Sequence, residues 1–254
     1  MKKTRNSLIL KRSIAILSIA VIILGLIYIV KVNFLSSSKK VQKNVPTKMA
    51  ASNKVKNKKV QKVVYLTFDD GPSANVTLQI LDTLKKYNIN ATFFVTGKNS
   101  IINKLTLIRE SRDGNEIALK SFNNDTKKIY SSPEAYINDL NECSDILGTV
   151  LQNNKFNNKL IRFPGGSNVV NKKFTNSIKK AGYTFVDWNL DSKDSVINKQ
   201  NSSSEIINHI KASYGNNDKL IILMHDSASN GSTSVALPEI IEFLKSQNYI
   251  FKTL

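Results

Sequence analysis

From residue 63 to the end of this 254-residue chain, short apolar runs alternate with longer stretches of helical spacing, and that alternation leaves few folds open. Residues 63–68, 91–96, 116–121, 160–163, 184–190, 220–225 and 249–254 read as strands. Between them, Ile80, Leu81, Leu84 and Tyr87 fit one face of a helix. Tyr136, Leu140, Cys143, Ile146, Leu147 and Val150 fit a second, opened by Ser132-Pro133-Glu134, a capping residue followed by proline in the first turn. Ile206, Ile207 and Ile210 mark a third helix, and Ile240, Ile241 and Leu244 a fourth. Seven strands alternating with six helices predict an α/β fold with a largely parallel sheet. Strands this apolar are buried on both faces, as in a closed or nearly closed barrel, where chemistry gathers at the carboxyl ends of the strands.

The segment before that domain has a different composition. Lys and Arg number 37 against 19 Asp and Glu, a formal +18, yet residues 1–62 hold 15 of the basic residues and no acidic one. Residues 63–254 are therefore close to balanced, which argues against a nucleic-acid partner, since such a protein carries its basic patch on the folded domain. Residues 13–30 form an uncharged apolar run of 18, just long enough to cross a bilayer as a helix. Lys2, Lys3, Arg5, Lys11 and Arg12 precede it, so the expected arrangement has residues 1–12 as a cytoplasmic tail. The run itself would be a single-pass membrane anchor, residues 31–62 a basic flexible linker, and residues 63–254 an extracellular domain. The alternative is a cleaved secretory signal and a secreted protein.

Polar residues cluster where the strands end. The first strand closes with Thr67-Phe68-Asp69-Asp70-Gly71-Pro72. Adjacent carboxylates at a strand end repel and need a cation or donors to stay ionised. Asp-Gly-Pro alone is an ordinary acidic turn; preceded by an apolar strand and Thr-Phe-Asp, it is far more specific. The fourth strand closes with Arg162-Phe163-Pro164-Gly165-Gly166, where an arginine can pair with a carboxylate and the glycine backbone can bring N–H donors to a ligand. The fifth carries Asp187-Trp188-Asn189-Leu190-Asp191, with the chain's only tryptophan as core or as a sugar platform. The sixth closes with Leu223-Met224-His225-Asp226. His209, in an Ile-rich helical stretch, reads as a surface or packing residue.

In this order the strings resemble the polysaccharide deacetylase family (carbohydrate esterase family 4, the NodB-homology domain), over about residues 63–254, and in particular peptidoglycan N-acetylglucosamine deacetylases of the cell wall. The resemblance implies a distorted (β/α)7 barrel and hydrolysis of the N-acetyl group of cell-wall amino sugars. It makes Asp69 the general base, Asp70 a ligand of a divalent metal, usually zinc, and His225 the acid that protonates the departing amine. Arg162 would hold Asp69, and Asp191 would tune His225. Leu223 and Trp188 would line the acetyl pocket, with the Gly165 N–H helping to polarise the amide oxygen.

This chain departs from that pattern at the metal. The family's remaining two ligands are histidines in a His-Ser/Thr-x-x-His string after the third strand, and here that place reads Lys120-Ser121-Phe122-Asn123-Asn124. A protonated lysine is no ligand and an asparagine carbonyl a poor one for zinc, so metal binding should be weak or absent. Lys120 is instead expected to place its ammonium where the metal would sit, paired with Asp70. Asp194-Ser195 also stands where the family commonly has Asp-Trp, which removes an aromatic wall of the groove. Three readings stand: a deacetylase with an unorthodox metal site, an inactive glycan-binding relative in the cell envelope, or a metal-free hydrolase using Asp69, His225 and Lys120.

Overall fold

The computed structural model describes residues 61–153, 156–195, 201–215 and 217–254. The tail, the apolar run at 13–30 and the linker up to residue 60 lie outside the described residues, and so does the anchor expected there. Among the described residues no helix is long and apolar enough to cross a membrane.

Strand β1 (Val63–Asp69) is the axis of the sheet. It pairs on one side with β2 (Thr92–Thr96) and on the other, over its whole length, with β7 (Lys219–His225). β3 (Glu116–Ser121), β4 (Leu160–Ile161) and β5 (Thr184–Phe185) extend the sheet beyond β2, and β6 (Leu190–Asp191) lies beyond β7. The order is β5-β4-β3-β2-β1-β7-β6, every pairing is parallel, and β8 (Ile250–Phe251) adds to the first residues of β1. All five residues of β2 are buried, as are five of the seven in β7. Both faces of the central strands are therefore covered, which is why they read as continuous apolar runs rather than alternating ones.

The helices that cover the sheet are α1 (Val76–Tyr87), α2 (Gly97–Ile102), α3 (Lys104–Arg112), α4 (Thr126–Ile129), α5 (Pro133–Val150), α6 (Lys172–Lys180), α7 (Ser203–Ser213) and α8 (Gly231–Ser246). Ser132 caps α5 by accepting from the Ala135 N–H, with Pro133 at its start, and α5 buries Tyr136, Leu140, Cys143 and Leu147. α7 opens with a capping box between Ser202 and Glu205 and buries Ile206, Ile207 and Ile210. His209 sits half-buried on that helix.

One expected strand is corrected. Residues 184–190 do not form a single strand: β5 and β6 are two short strands on opposite edges of the sheet. The Val186 N–H donates to the Ile161 carbonyl at 3.1 Å, beside β4, and the Asn189 N–H donates to the Ile221 carbonyl at 3.1 Å, beside β7. The segment between them thus steps across from one edge to the other. Asp187 lies in that segment, its carboxylate accepting from the Ser167 N–H and hydroxyl. A few residues span at most about 17 Å, so the two edges approach each other and the barrel is closed by covalent chain instead of by a strand pairing. This parallel sheet with its helices fits a distorted (β/α)7 barrel.

Candidate active site

β1 delivers Asp69, fully buried, to the carboxyl end of the sheet. Arg162 Nη1 donates to Asp69 Oδ1 at 2.9 Å, and Lys120 Nζ donates to Oδ2 at 2.5 Å. Burial by itself raises the Asp69 pKa, but Lys120, Arg162 and His225 outweigh it and hold the carboxyl below its ordinary value. Arg162 is itself fully buried. Its Nη1 also donates to Thr67 Oγ1 at 2.7 Å, its Nε donates to the Val186 carbonyl at 3.2 Å, and its guanidinium lies 4.1 Å from the centre of the Phe94 ring. The expected hold of Arg162 on Asp69 is present in this geometry.

Asp70 begins the turn with φ +73°, in the left-handed region that costs an ordinary residue about 1–3 kcal/mol. Neighbouring groups hold it there. Its N–H donates to the Phe94 carbonyl at 3.1 Å, its carbonyl accepts from Asn99 Nδ2 at 2.7 Å, and the Pro72 carbonyl accepts from Asn103 Nδ2 at 2.9 Å. Gly71 is required by the Asp226 carboxylate packed beneath it, which a Cβ would overlap. Asn99 and Asn103 are positioning residues that the sequence did not single out, since nothing local marks a side chain aimed at a carbonyl about thirty positions away.

The place expected for the metal holds protein atoms of the wrong kind. Lys120 is buried on β3, braced by Tyr136 Oη donating to its carbonyl at 3.0 Å. Burial lowers the affinity of its amine for a proton, but Asp69 and Asp70 overcome this and raise the Lys120 pKa, so it stays an ammonium. It lies 3.4 Å from Asp70 Oδ1, the expected partner, and closer still to Asp69, which the sequence reading had not paired with it. Asn124, at φ +58°, turns its Nδ2 toward Asp70 Oδ1 at 2.6 Å, while its Oδ1 accepts from Ser121 Oγ at 3.0 Å. Among the described residues no three His, Cys, Asp or Glu side chains come together as a metal-binding group. One carboxylate already met by an ammonium and an amide N–H is not a donor set for zinc.

His225 ends β7, opposite Asp69 in register. Its Nδ1 is 2.8 Å from Asp194 Oδ1, and its backbone N–H donates to Asp194 Oδ2 at 2.7 Å. The expectation that Asp191 tunes this histidine is therefore corrected. Asp191 accepts from the Lys193 N–H at 2.8 Å and pairs with Lys193 Nζ at 2.7 Å, facing away. Both aspartates lie in one short segment, and only the loop's path decides which turns inward. Burial lowers the His225 pKa, but the Asp194 hydrogen bond and charge, with Asp69 and Asp70 behind them, raise it to about 9. The free Nε2 stands 4.0 Å from Asp70 Oδ2 at the mouth of the site. Because this pKa is raised, the pair's contribution to stability is complete below about pH 6.5 and is lost as pH rises through about 9. Asp194→Asn is expected to bring the His225 pKa back toward its ordinary value while Asp191→Asn leaves it unchanged, as read by NMR titration of the imidazole. The reverse result would restore Asp191 to the role.

The residues expected to line an acetyl pocket are spread around this centre. Leu223 is buried in β7 between Thr67 and Asp191, and Trp188 is half-buried with its ring 5.6 Å from the Arg162 guanidinium. Gly165 is exposed at φ +82° in the turn after Arg162. Ser195, in the place of the aromatic wall, is exposed.

A second acidic pair lies behind the turn. Glu110 on α3 is fully buried with neither carboxylate oxygen hydrogen-bonded, and Asp226 Oδ1 has no partner either. Burial first, then the charge of Asp226, pushes the Glu110 carboxyl well above its ordinary range. Burial likewise lifts Asp226 to about 7 against the Thr77 hydrogen bond at 2.6 Å. Both groups are raised, so the stability they carry is present below about pH 4 and declines as pH climbs toward 7. Glu110→Gln is expected to flatten that decline between pH 5 and pH 8 in thermal melts, and an unchanged slope would remove Glu110 from the account.

The chain is similar to known proteins over most of its described residues. A sequence model of the family described as polysaccharide deacetylase matches residues 56–186. The chain is 31% identical over 200 residues to a peptidoglycan-N-acetylglucosamine deacetylase of Bacillus cereus, covering 77% of this chain and 70% of that protein. It is 31% identical over 225 residues to the peptidoglycan-N-acetylglucosamine deacetylase PgdA of Listeria monocytogenes, covering 89% of this chain but 45% of that longer protein. Among solved structures it is similar to the polysaccharide deacetylase Bc1974 from Bacillus cereus, with a TM-score of 0.68 and 30% identity over 76% of this chain and 92% of the other.

Proposed function

This chain belongs to the polysaccharide deacetylase family, and on that premise we propose that it is a glycan-binding protein of the cell envelope in which an internal ion pair has replaced the family's hydrolytic centre. Family members generally use a divalent metal, which supplies several kcal/mol of charge stabilisation to the hydrolysis of an amide. The observation that carries the reading is Lys120, whose ammonium sits 2.5 Å from Asp69 and 3.4 Å from Asp70. It neutralises the carboxylates without offering a lone pair, and it leaves Asp69, already bound to Arg162, a poor base. The groups that would meet a ligand at the mouth are still in place: the His225 Nε2–H, Trp188 and the exposed Gly165 turn. The relatives' names point to the glycan of peptidoglycan, carrying N-acetylglucosamine, as the ligand class. The run at 13–30, acting as an uncleaved anchor, would hold the domain at the outer face of the membrane.

A metal-free hydrolase is the second reading, and the intact His225–Asp194 pair is what favours it. It needs Lys120 to reach an acetyl oxygen, yet that side chain is 6% exposed and committed to two carboxylates.

The test is to incubate the full chain, with zinc, on N-acetylated peptidoglycan. Co-sedimentation with the glycan and no acetate above background is the expected result. Acetate release at the rate of the Bacillus cereus relative would make it a working deacetylase and overturn the proposal. Release that survives a chelator and disappears in Lys120→Ala would establish the second reading instead.

A further inference from the structure

Ile101, Ile102 and Leu105 are 48%, 65% and 75% exposed, three large aliphatic side chains within five residues at the corner between α2 and α3. Apolar groups gathered on a surface mark a place where something docks. The corner rises directly from the carboxyl end of β2, on the same end of the sheet as Asp69 and His225. It is also fastened to the turn that carries Asp70, through Asn99 and Asn103. Its charge has one sign. From residue 97 to 109 there are Lys98, Lys104 and Arg109 and no acidic residue. Arg109 is engaged by Asp82 and Asp113, whereas Lys98 and Lys104 are exposed and have no ion pair among the described residues.

From these residues we propose that the α2–α3 corner docks on the surface of an anionic lipid bilayer, with Ile101, Ile102 and Leu105 entering the headgroup region and Lys98 and Lys104 meeting the lipid charges. Aliphatic side chains bury well among acyl chains, and long lysine stems let the ammonium stay in the polar layer. Each lysine adds attraction to an anionic leaflet. A glycan is the poorer occupant, because the three side chains offer neither an aromatic face nor a hydrogen-bonding group to a sugar. Docking this corner would set the mouth of the site beside the membrane, so that the glycan it meets is the part lying closest to the bilayer. The inference does not depend on whether the site binds or hydrolyses.

The test uses the full chain bearing an environment-sensitive dye at Leu105→Cys; the native Cys143 is buried and leaves the new thiol as the one that labels. A control carries the dye at Asp218→Cys, exposed just before β7 at the opposite end of the sheet. With vesicles of phosphatidylcholine and phosphatidylserine, the dye at 105 should shift to the blue and the control should not. Adding Lys98→Glu and Lys104→Glu should cut the docked fraction at least tenfold, with the thermal melt unchanged. No shift at 105 overturns the proposal. An equal shift on pure phosphatidylcholine overturns its electrostatic half. A shift produced by peptidoglycan fragments in detergent, without vesicles, would make the corner a glycan ledge instead.

Discussion

Arg162→Ala is expected to cost the domain about 3–5 kcal/mol, a large share of the roughly 5–15 kcal/mol by which such domains are stable. Arg162 is fully buried, and its guanidinium meets Asp69, Thr67, the Val186 carbonyl and the face of Phe94. Alanine removes all four contacts, leaves a cavity and strands the fully buried Asp69 with Lys120 as its one ion-pair partner among the described residues. The loss comes less from the missing attraction than from a carboxylate left in a place water cannot reach. In a domain of this size that is a fall in Tm of very roughly 10 °C. Urea unfolding should show a lower midpoint at an unchanged slope. Lys120→Met should cost less, because Arg162 remains, and combining the two should depart strongly from additivity since both act on Asp69. A loss below about 1 kcal/mol for Arg162→Ala would mean that Asp69 is not held ionised by this network.

The second large effect runs the other way. Lys120→His with Asn124→His places two imidazoles beside Asp70, the three-ligand set of a catalytic zinc site. Asn124 lies at φ +58°, a region where histidine is among the residues enriched, so the backbone need not move to accept it. Without metal the double variant should be less stable than the natural chain, because the buried Asp69 loses one of its cations. Zinc should restore that stability, with a midpoint that climbs as zinc is added, a gain the natural chain should lack. Acetate release from N-acetylated peptidoglycan should then rise by at least 100-fold over the natural chain, the scale expected of several kcal/mol. Zinc binding without acetate release would place the obstacle to hydrolysis outside positions 120 and 124, with Ser195 the first place to look. No zinc binding at all would show that the frame around Asp70 no longer suits a metal, and Lys120 would not then be the single cause.

The residues that could be placed before the fold was known share a local cause. Strands such as β1 and β7 are buried on both faces, so their apolar runs stand out unaided. α5 shows its capping serine, its first-turn proline and its apolar stripe within one short stretch. Asp69, Asp70, Arg162 and His225 could be read as strand-end residues because each follows such a run directly. That Lys120 and Asn124 offer zinc little was legible for the same reason: side-chain chemistry does not depend on the fold. What tertiary structure alone decided involves partners far apart in the chain. The stretch 184–190 is apolar enough for one strand, but Val186 bonds beside β4 and Asn189 beside β7, so the chain crosses from one sheet edge to the other. Asp191 and Asp194 are equivalent in sequence, and the path of one loop gives His225 to Asp194. Lys120 meets Asp70 as its chemistry suggests, and its position in β3 brings it closer still to Asp69. Glu110 and Asp226 sit in a helix and at a strand end, and packing buries both within reach of each other's charge. Sequence carries what each residue is able to do and the periods that bury it. Which charges meet depends on distances that only the folded barrel sets, and with charges of both signs gathered at one sheet end, those distances determine whether the carboxylates hold a metal or a lysine.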